Sequence, residues 1–368
     1  MDRLVIPAVF DMHQHLRQGA DAVYFLKWVD RVCDVALVMP NTVVGHGLEG
    51  PITTAERLNQ YRTLLERAVP DRKAHLVWTL YLTEETTPEM IRAAAAAGAT
   101  GYKIYPRGET TNSDQGIREA VLRDLRHPFW RAIEEIQNVG GVVNHHGEIP
   151  GADVYDAERK YCSVIDAVCR EYPKLRQVVE HVTTADMVQN IREWREEDRP
   201  IAGTITAHHL CLTLNDVVGQ THNFCKPVAK GTKDRDALIS AATGWSDGFF
   251  FGSDAAPHHR TKKVSNEFQP ACAGCWTTPV MVQLVAQVFD KLNCLDRLPR
   301  FLRTNAKTFY NIQGEPSRTL TLERKPWWNT YRSGYVPFWF DKLLDWRVAE
   351  LDEIPNFHTG PNRPTMEV

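Results

Sequence analysis

Eight short apolar segments with β-rich composition alternate along the chain with eight amphipathic segments rich in Ala, Glu and Arg. This alternation is typical of parallel βαβ units, and eight such units close into a (β/α)8 TIM barrel, an α/β fold. The predicted strands are 4–10, 35–39, 75–82, 101–105, 141–144, 177–180, 201–206 and 248–252. The predicted helices are 21–32, 53–68, 88–97, 128–139, 157–171, 185–195, 234–243 and 279–292.

The chain is longer than one barrel requires, since 368 residues exceed the roughly 250 of a typical (β/α)8 domain. We assign residues 1–314 to the barrel and 315–368 to a C-terminal extension of different composition. The extension contains four tryptophans, which we expect to pack on the outside of the barrel or against a second subunit: Trp327, Trp328, Trp339 and Trp346.

Charge and hydropathy exclude several classes of function. A net charge of -3 and the lack of a basic block argue against a nucleic-acid or membrane-surface role. Neither a signal peptide nor a run of roughly 18 apolar residues is present, so we expect a cytoplasmic enzyme. Eight scattered cysteines are expected to be thiols in that compartment, and the CxxC at 272–275 lacks the second pair of a zinc knuckle.

Histidines concentrate where a barrel places its chemistry, at the carboxyl ends of the strands. Nine of the fourteen histidines fall there, joined by one carboxylate, Asp254: His13, His15, His145, His146, His181, His208, His209, His258 and His259. Imidazoles with one carboxylate suit zinc. These are too many ligands for one tetrahedral ion, so the sequence predicts two ions that share a hydroxide nucleophile.

The first of these strands carries His13 and His15, two residues apart. In an extended strand both imidazoles lie on one face and can hold the same ion. Arg17 follows, where its guanidinium fork could meet a substrate carboxylate. Taken by itself, this stretch is equally compatible with two surface histidines.

Lys103 lies inside the otherwise apolar fourth strand. Burial disfavours its charge, and a neutral amine can add carbon dioxide to form a carbamate that bridges two metals. An ion-paired or snorkelling lysine is the alternative, and the residues alone favour that alternative.

A series of motifs in the order of the chain resembles dihydroorotase, in the shorter single-barrel bacterial type of the amidohydrolase superfamily. The motifs span about residues 4 to 310. They are His13-Gln14-His15-Leu16-Arg17, Val38-Met39-Pro40-Asn41, Tyr102-Lys103-Ile104-Tyr105-Pro106, Thr110-Thr111-Asn112-Ser113, His146-Gly147-Glu148, Glu180-His181-Val182-Thr183-Thr184, Thr204-Ile205-Thr206, Gly252-Ser253-Asp254-Ala255-Ala256-Pro257-His258 and Cys272-Ala273-Gly274-Cys275.

The resemblance implies a ligand set for two zinc ions in each subunit, bridged by N6-carboxylated Lys103 and a hydroxide. The more buried zinc would be bound by four residues, His13, His15, Lys103 and Asp254. The second would be bound by the carboxylated Lys103, His146 and His181. Only the resemblance selects His146 over His145, because the family's ligand precedes Gly-Glu.

The resemblance also implies the substrate contacts. Arg17, Asn41 and His258 match the positions that hold the α-carboxylate, and Thr110 and Thr111 match a pair on a mobile lid. Two further contact positions are Lys226, which is leucine in enterobacterial members where the backbone touches the substrate, and Ala273. A short insertion at 45–50 follows the second strand near the mouth of the barrel.

The implied reaction is the reversible closure of N-carbamoyl-L-aspartate to L-dihydroorotate and water in pyrimidine synthesis, with Asp254 as general base and then general acid. The partners would be this small-molecule substrate and a second copy of the chain in a homodimer. Two alternatives stay open: another cyclic-amide hydrolase of the hydantoinase or allantoinase kind, and an inactive homologue that serves as a scaffold. The former usually carries a β-sandwich that begins before the barrel, for which His13 comes too early, and the latter typically loses metal ligands.

Overall fold

Thirteen strands and eleven α-helices form the fold, which a computed structural model describes for residues 2–264, 270–314, 318–330 and 333–351. The strands are β1 (Arg3–Pro7), β2 (Val9–Gln14), β3 (Cys33–Val38), β4 (Val44–Gly45), β5 (Leu48–Glu49), β6 (His75–Tyr81), β7 (Ala99–Ile104), β8 (Val142–His146), β9 (Arg176–Glu180), β10 (Ile201–Ile205), β11 (Phe249–Phe251), β12 (Thr319–Trp328) and β13 (Leu343–Val348). The helices are α1 (Gly19–Val32), α2 (Ala55–Ala68), α3 (Pro88–Ala96), α4 (Glu119–Arg123), α5 (Phe129–Asn138), α6 (Ala157–Glu171), α7 (Ala185–Glu196), α8 (Leu214–Val217), α9 (Thr232–Thr243), α10 (Met281–Lys291) and α11 (Asn305–Phe309).

Eight of the strands form one parallel sheet in the order β2-β3-β6-β7-β8-β9-β10-β11, which is the predicted (β/α)8 barrel. Each predicted strand and helix has a counterpart within a few residues of its expected bounds. The first predicted strand, 4–10, is wrong in detail because it is two strands. Residues Arg3–Pro7 pair antiparallel with β12 outside the barrel, and only β2 enters the barrel wall.

The barrel closes between its first and last strands through a buried carboxylate. Asp11 on β2 accepts hydrogen bonds from the Ser253 backbone N–H and hydroxyl, both at 2.7 Å, and from Gln14 Nε2 at 3.0 Å. The His15 N–H donates to the Ala255 carbonyl at 3.3 Å across the same seam. Burial raises the pKa of Asp11 to about 6, against hydrogen bonds from Ser253 that lower it. This seam places the residues after β2 beside those after β11.

Apolar side chains fill both sides of the barrel wall, because parallel strands between helices are buried on both faces. The interior cluster closes the floor below the polar carboxyl ends of the strands and includes Phe10, Leu37, Val178, Phe250 and Tyr310. A larger cluster joins the outer faces of the strands to the helices. The predicted ligands lie at the carboxyl end of the barrel, beyond this apolar cluster.

The C-terminal extension adds an antiparallel sheet in the order β1-β12-β13. Trp346 is fully buried and its Nε1 donates to Asp290 on α10 at 3.2 Å, so this aromatic packs on the outside of the barrel. Trp328 is 59% exposed. The boundary at 314/315 stays a prediction, and residues 352–368 lie outside the described ranges.

All eight cysteines are free thiols, as predicted. Among the described residues, no helix is both long enough and apolar enough to cross a membrane.

Candidate metal centre and substrate pocket

Four buried imidazoles lie in a row across the carboxyl end of the barrel. The ring centroids of His15 and His13 are 5.2 Å apart, those of His13 and His181 5.1 Å, and those of His181 and His146 4.7 Å. His146 Nδ1 and His181 Nε2 approach to 3.1 Å. Rings from three separate strand ends thus turn their nitrogens toward common points, which is the arrangement that metal binding requires.

Asp254, after β11, completes the first half of this row. Its Oδ1 lies 3.1 Å from His15 Nε2 and 3.4 Å from His13 Nε2, and these three side chains could hold an ion between them. Burial would raise the pKa of Asp254, but its contacts with His15 and His13 hold it below its ordinary value. The carboxylate is therefore ionised and able to act as a ligand or a base.

Lys103 is fully buried on β7, the strand that pairs with β8, which carries His146. Within the described chain its Nζ has no hydrogen-bond partner. Burial lowers the pKa of Lys103 to about 8, opposed by the charges of Glu180 and Asp254. Its Nζ lies 5.2 Å from the centroid of the Tyr105 ring, and the lack of a hydrogen-bonded anion argues against a structural ion pair.

Three of the four histidines have a partner on the ring nitrogen that faces away from the centre. His13 Nδ1 lies 2.9 Å from Glu180, His15 Nδ1 lies 2.9 Å from the Asn41 Oδ1 atom, and His146 Nε2 lies 2.9 Å from Glu148. Such acceptors fix the ring tautomer and leave the opposite nitrogen free for a metal. The buried donors and these acceptors together fit a metal centre.

The backbone is left-handed at three site residues that are not glycine. The φ angles are +62° at Arg17, +42° at His181 and +43° at Asp254. Non-glycine residues rarely adopt this region, and each costs about 1–3 kcal/mol that the surrounding structure must offset. Among the described residues, these three are the predicted metal or substrate ligands among ten non-glycine residues with a positive φ.

Arg17 and His258 lie together at the rim of the centre. Arg17 Nε donates to the Pro257 carbonyl at 3.0 Å, and Arg17 Nη2 lies 3.2 Å from His258 Nε2. Burial and the Arg17 charge lower the pKa of His258 to about 2, so the imidazole is neutral and accepts from Arg17. The remaining guanidinium donors are available to an anion.

The predicted lid residues close over this rim. Asn41 Nδ2 donates to the Thr111 carbonyl at 3.2 Å, and Asn112 Nδ2 donates back to the Asn41 carbonyl at 3.0 Å. The hydroxyl oxygen of Thr110 is buried and has no hydrogen-bond partner in the described chain. A small cavity, here called the inner cavity, lies between the imidazoles, Asp254 and Arg17. Thr110 and Thr111 both line it, so the loop forms one of its walls.

Lys226 and Ala273 lie opposite the lid. Both line the inner cavity, and Lys226 Nζ is 3.6 Å from Glu109 Oε2 on the lid. All the predicted site residues except Lys103 and His258 line this inner cavity. An outer cavity of about 580 Å³ adjoins it and is lined by Arg17, His258 and part of the β4–β5 hairpin. This hairpin contains the insertion that the sequence predicts near the mouth of the barrel.

Other histidines at strand ends lie outside the row. His145 points away from the barrel interior and bonds to Tyr161 and Gln177, each at 3.1 Å. His209 belongs to a second group of possible metal donors with His208 and Cys225. Both ring nitrogens of His209 are already 3.0 Å from oxygen partners, Thr206 Oγ1 and the Pro227 carbonyl, whereas neither ring nitrogen of His208 has a hydrogen-bond partner in the described chain.

Sequence reasoning gave no role to the acidic residues behind the imidazoles. Glu180 directly precedes His181, and Glu148 follows His146 by two positions. Both are buried, and burial of a carboxylate requires partners. A carboxylate at the end of an apolar strand beside a predicted ligand was the signal that could have identified them.

Comparisons with known proteins relate the chain to one group of enzymes, although no protein-family model matches it. It is 39% identical over 353 residues to the probable dihydroorotase of Schizosaccharomyces pombe, covering 94% of this chain and 99% of that protein. The Saccharomyces cerevisiae dihydroorotase crystal structure with 5-fluoroorotic acid gives a TM-score of 0.86 at 31% identity, covering 95% of this chain and 98% of that one. L-Hydantoinase (dihydropyrimidinase) from Arthrobacter aurescens, 16% identical with a TM-score of 0.76 over 94% of this chain and 83% of that one, shares the fold alone.

Proposed function

Because this chain belongs to the dihydroorotase family, we propose that its row of imidazoles and the adjoining pocket perform the dihydroorotase reaction with the residues described above. The chain is a hydrolase that acts on a cyclic amide. Its reaction is the reversible closure of N-carbamoyl-L-aspartate to L-dihydroorotate and water in pyrimidine synthesis. The observation that carries the assignment of residues is the meeting of four imidazoles, Asp254 and an unpartnered buried lysine beneath one cavity.

Two zinc ions are the proposed cofactors. His13, His15, Lys103 and Asp254 would bind one, and Lys103, His146 and His181 the other. When bound, the ions would supply water activation and carbonyl polarisation. The support is the donor chemistry, since imidazole nitrogens and an ionised carboxylate suit zinc.

Lys103 is the proposed bridge, as a carbamate. The neutral amine forms a bond from Nζ to the carbon of carbon dioxide and releases one proton, which leaves a carboxylate at the end of the side chain. The lowered pKa of Lys103 supports this step, because only the neutral amine has the lone pair that reacts.

Asp254 is the proposed proton carrier. In the hydrolytic direction its carboxylate takes the proton of the attacking oxygen nucleophile and delivers it to the ring nitrogen that leaves. Its position supports both steps, because the side chain lines the inner cavity and is held by His13 and His15 from one side only. In the synthetic direction the same transfers run in reverse.

Arg17, Asn41 and His258 are proposed to hold the α-carboxylate of the substrate. The Arg17 guanidinium is already fixed by Pro257 and His258, so little conformational freedom is lost when the anion binds. Thr110 and Thr111 on the lid, with Lys226 and Ala273 opposite, would enclose the rest of the ring. Closure excludes water during ring formation, when water is the product.

The assembly and location are proposed from the sequence. We expect a homodimer in the cytoplasm that acts on a small molecule and needs neither nucleic acid nor membrane. Gel filtration with light scattering tests the first expectation. A mass of one chain would contradict it.

Hydrolysis of L-dihydroorotate by the purified protein, supplied with zinc and bicarbonate, tests the proposal. Loss of the ring's ultraviolet absorbance is followed, with hydantoin and allantoin as comparison substrates. We expect turnover of dihydroorotate alone, since neither comparison substrate carries the ring carboxylate that Arg17 would bind. Turnover of a comparison substrate instead would favour the hydantoinase alternative, and no turnover of any substrate by metal-loaded protein would favour the scaffold alternative.

A further inference from the structure

Glu180 ends β9 beneath the row of imidazoles, and its side chain is buried. Its Oε2 accepts from His13 Nδ1 at 2.9 Å and from the Thr204 hydroxyl at 2.7 Å. Its Oε1 accepts from Asn144 Nδ2 at 2.6 Å. Three donors from three strands therefore hold one carboxylate in a single orientation.

The contact with Glu180 determines which nitrogen of His13 is free. A carboxylate only accepts, so His13 Nδ1 must carry the hydrogen and Nε2 keeps its lone pair. That Nε2 lies 3.4 Å from Asp254 Oδ1, on the side where the proposed ion binds. Glu180 itself does not line the inner cavity and so does not reach the substrate.

Asn144 extends this contact to the floor of the barrel. Its amide nitrogen donates one hydrogen to Glu180 and the other to the Tyr310 hydroxyl, at 2.7 Å. Tyr310 follows α11, a helix outside the run of barrel strands, and packs in the interior cluster. Gly101 leaves the necessary room, because a Cβ there would lie 2.9 Å from Asn144 Oδ1 and 2.3 Å from Thr79 Cγ2.

We infer that Glu180 is a positioning residue for the metal centre, held from below by Asn144 and Tyr310, and that it retains the ion bound by His13, His15 and Asp254. This inference rests on the proposed function. Without the carboxylate, the His13 ring is free to rotate or change tautomer, which weakens one ligand of that ion. Loss of an outer acceptor of this kind typically costs 10–100-fold in metal affinity.

Glu180→Gln is the variant that tests the inference. The amide has nearly the same size, but it can accept at one end only, so either His13 or Asn144 loses its acceptor. Glu158→Gln is the matched control. Glu158 is also a buried glutamate, and it accepts from the backbone and hydroxyl groups of Thr183 and Thr184 without touching a histidine.

The measurement is the rate at which zinc-loaded protein releases metal to a chelator, with bound zinc counted by atomic emission. We expect roughly 10-fold or faster release from Glu180→Gln of one ion per chain, and wild-type release from Glu158→Gln. Cobalt-loaded Glu180→Gln should also show a shifted visible absorption spectrum. A folded Glu180→Gln protein with wild-type release and an unchanged spectrum overturns the inference.

Tyr310→Phe tests the positioning role of Glu180 if Glu180→Gln does not fold. It removes only the hydroxyl that accepts from Asn144, and we expect release to rise by about 2- to 5-fold, a smaller effect because Glu180 keeps its carboxylate. Wild-type release from Tyr310→Phe would then overturn the inference. Failure of the proposed function is distinguishable, because it is read from wild-type turnover of dihydroorotate, whereas this inference is read from the difference in metal release between the variants and the wild type.

Discussion

Asn41 connects His15 to the lid, since its Oδ1 lies 2.9 Å from His15 Nδ1 while its Nδ2 donates to the Thr111 carbonyl at 3.2 Å. The first contact leaves His15 Nε2 directed at Asp254, 3.1 Å away. The second holds the lid over the pocket. One amide thus joins a proposed metal ligand to the proposed lid.

Two substitutions of Asn41 separate these contacts. Asn41→Asp can still accept from His15 but cannot donate to Thr111 and repels a substrate carboxylate, whereas Asn41→Ala loses both contacts. We expect both variants to raise KM for dihydroorotate by about 10- to 100-fold, the range for a lost hydrogen bond to a charged group. Only Asn41→Ala should release metal faster. Equal release from the two variants would contradict the assigned contact with His15.

Carbamate formation on Lys103 should depend on pH. Burial lowers the pKa of Lys103 from 10.5 to about 8, so the amine is mainly charged and unreactive below pH 8 and mainly neutral above it. We expect incorporation of ¹³C-labelled carbon dioxide into metal-free protein to speed up about tenfold per pH unit below pH 8 and to level off above it. NMR at constant dissolved carbon dioxide measures the rate, with Lys103→Gln as the control. A rate independent of pH would show that the neutral amine is not what reacts.

Lys226 and Glu109 form a contact across the pocket mouth. Their charged atoms are 3.6 Å apart, and the side chains are 35% and 18% exposed. A partly exposed ion pair contributes less than about 1 kcal/mol, so we expect Lys226→Leu and Glu109→Gln each to change kcat/KM by no more than about fivefold. The double variant should be no worse than the more impaired single variant. If the losses of kcat/KM in the two single variants multiply in the double variant, Lys226 acts on the substrate and not through Glu109 on the lid.

Asp11 should be important for stability. In Asp11→Asn the amide nitrogen must face at least one of the Ser253 or Gln14 donors, which leaves a buried donor unpaired. We expect a loss of about 1–3 kcal/mol in the free energy of unfolding, measured by denaturant titration. Ser253→Ala removes hydroxyl contacts but keeps the carboxylate and should cost less. Wild-type stability of Asp11→Asn would exclude this seam as a determinant of barrel closure.

The barrel could be predicted from the sequence because its parallel strands are apolar on both faces and each is followed by an amphipathic helix. The break between β1 and β2 could not, because it depends on pairing of Arg3–Pro7 with β12, more than 300 residues away in the chain. Local composition carries no information about so distant a partner.

The proposed metal ligands could be predicted from the sequence because imidazoles, one aspartate and one lysine lie in or directly after the predicted strands. Alternation alone did not decide between His145 and His146, since both are polar and adjacent. The structure turns His145 toward Tyr161 and His146 toward His181. Glu180 and Asn144 were missed because their roles depend on which side chains lie behind the ligands, and only the folded barrel brings those together.

The most direct test is the turnover of L-dihydroorotate as a function of bound zinc. Metal-free protein is titrated with zinc in bicarbonate buffer, and activity is measured beside the number of ions bound per chain. Activity should rise to a plateau at two ions per chain in the wild type and stay near zero in Lys103→Ala. Full activity without bound metal, or an unchanged titration in Lys103→Ala, would contradict the proposed centre.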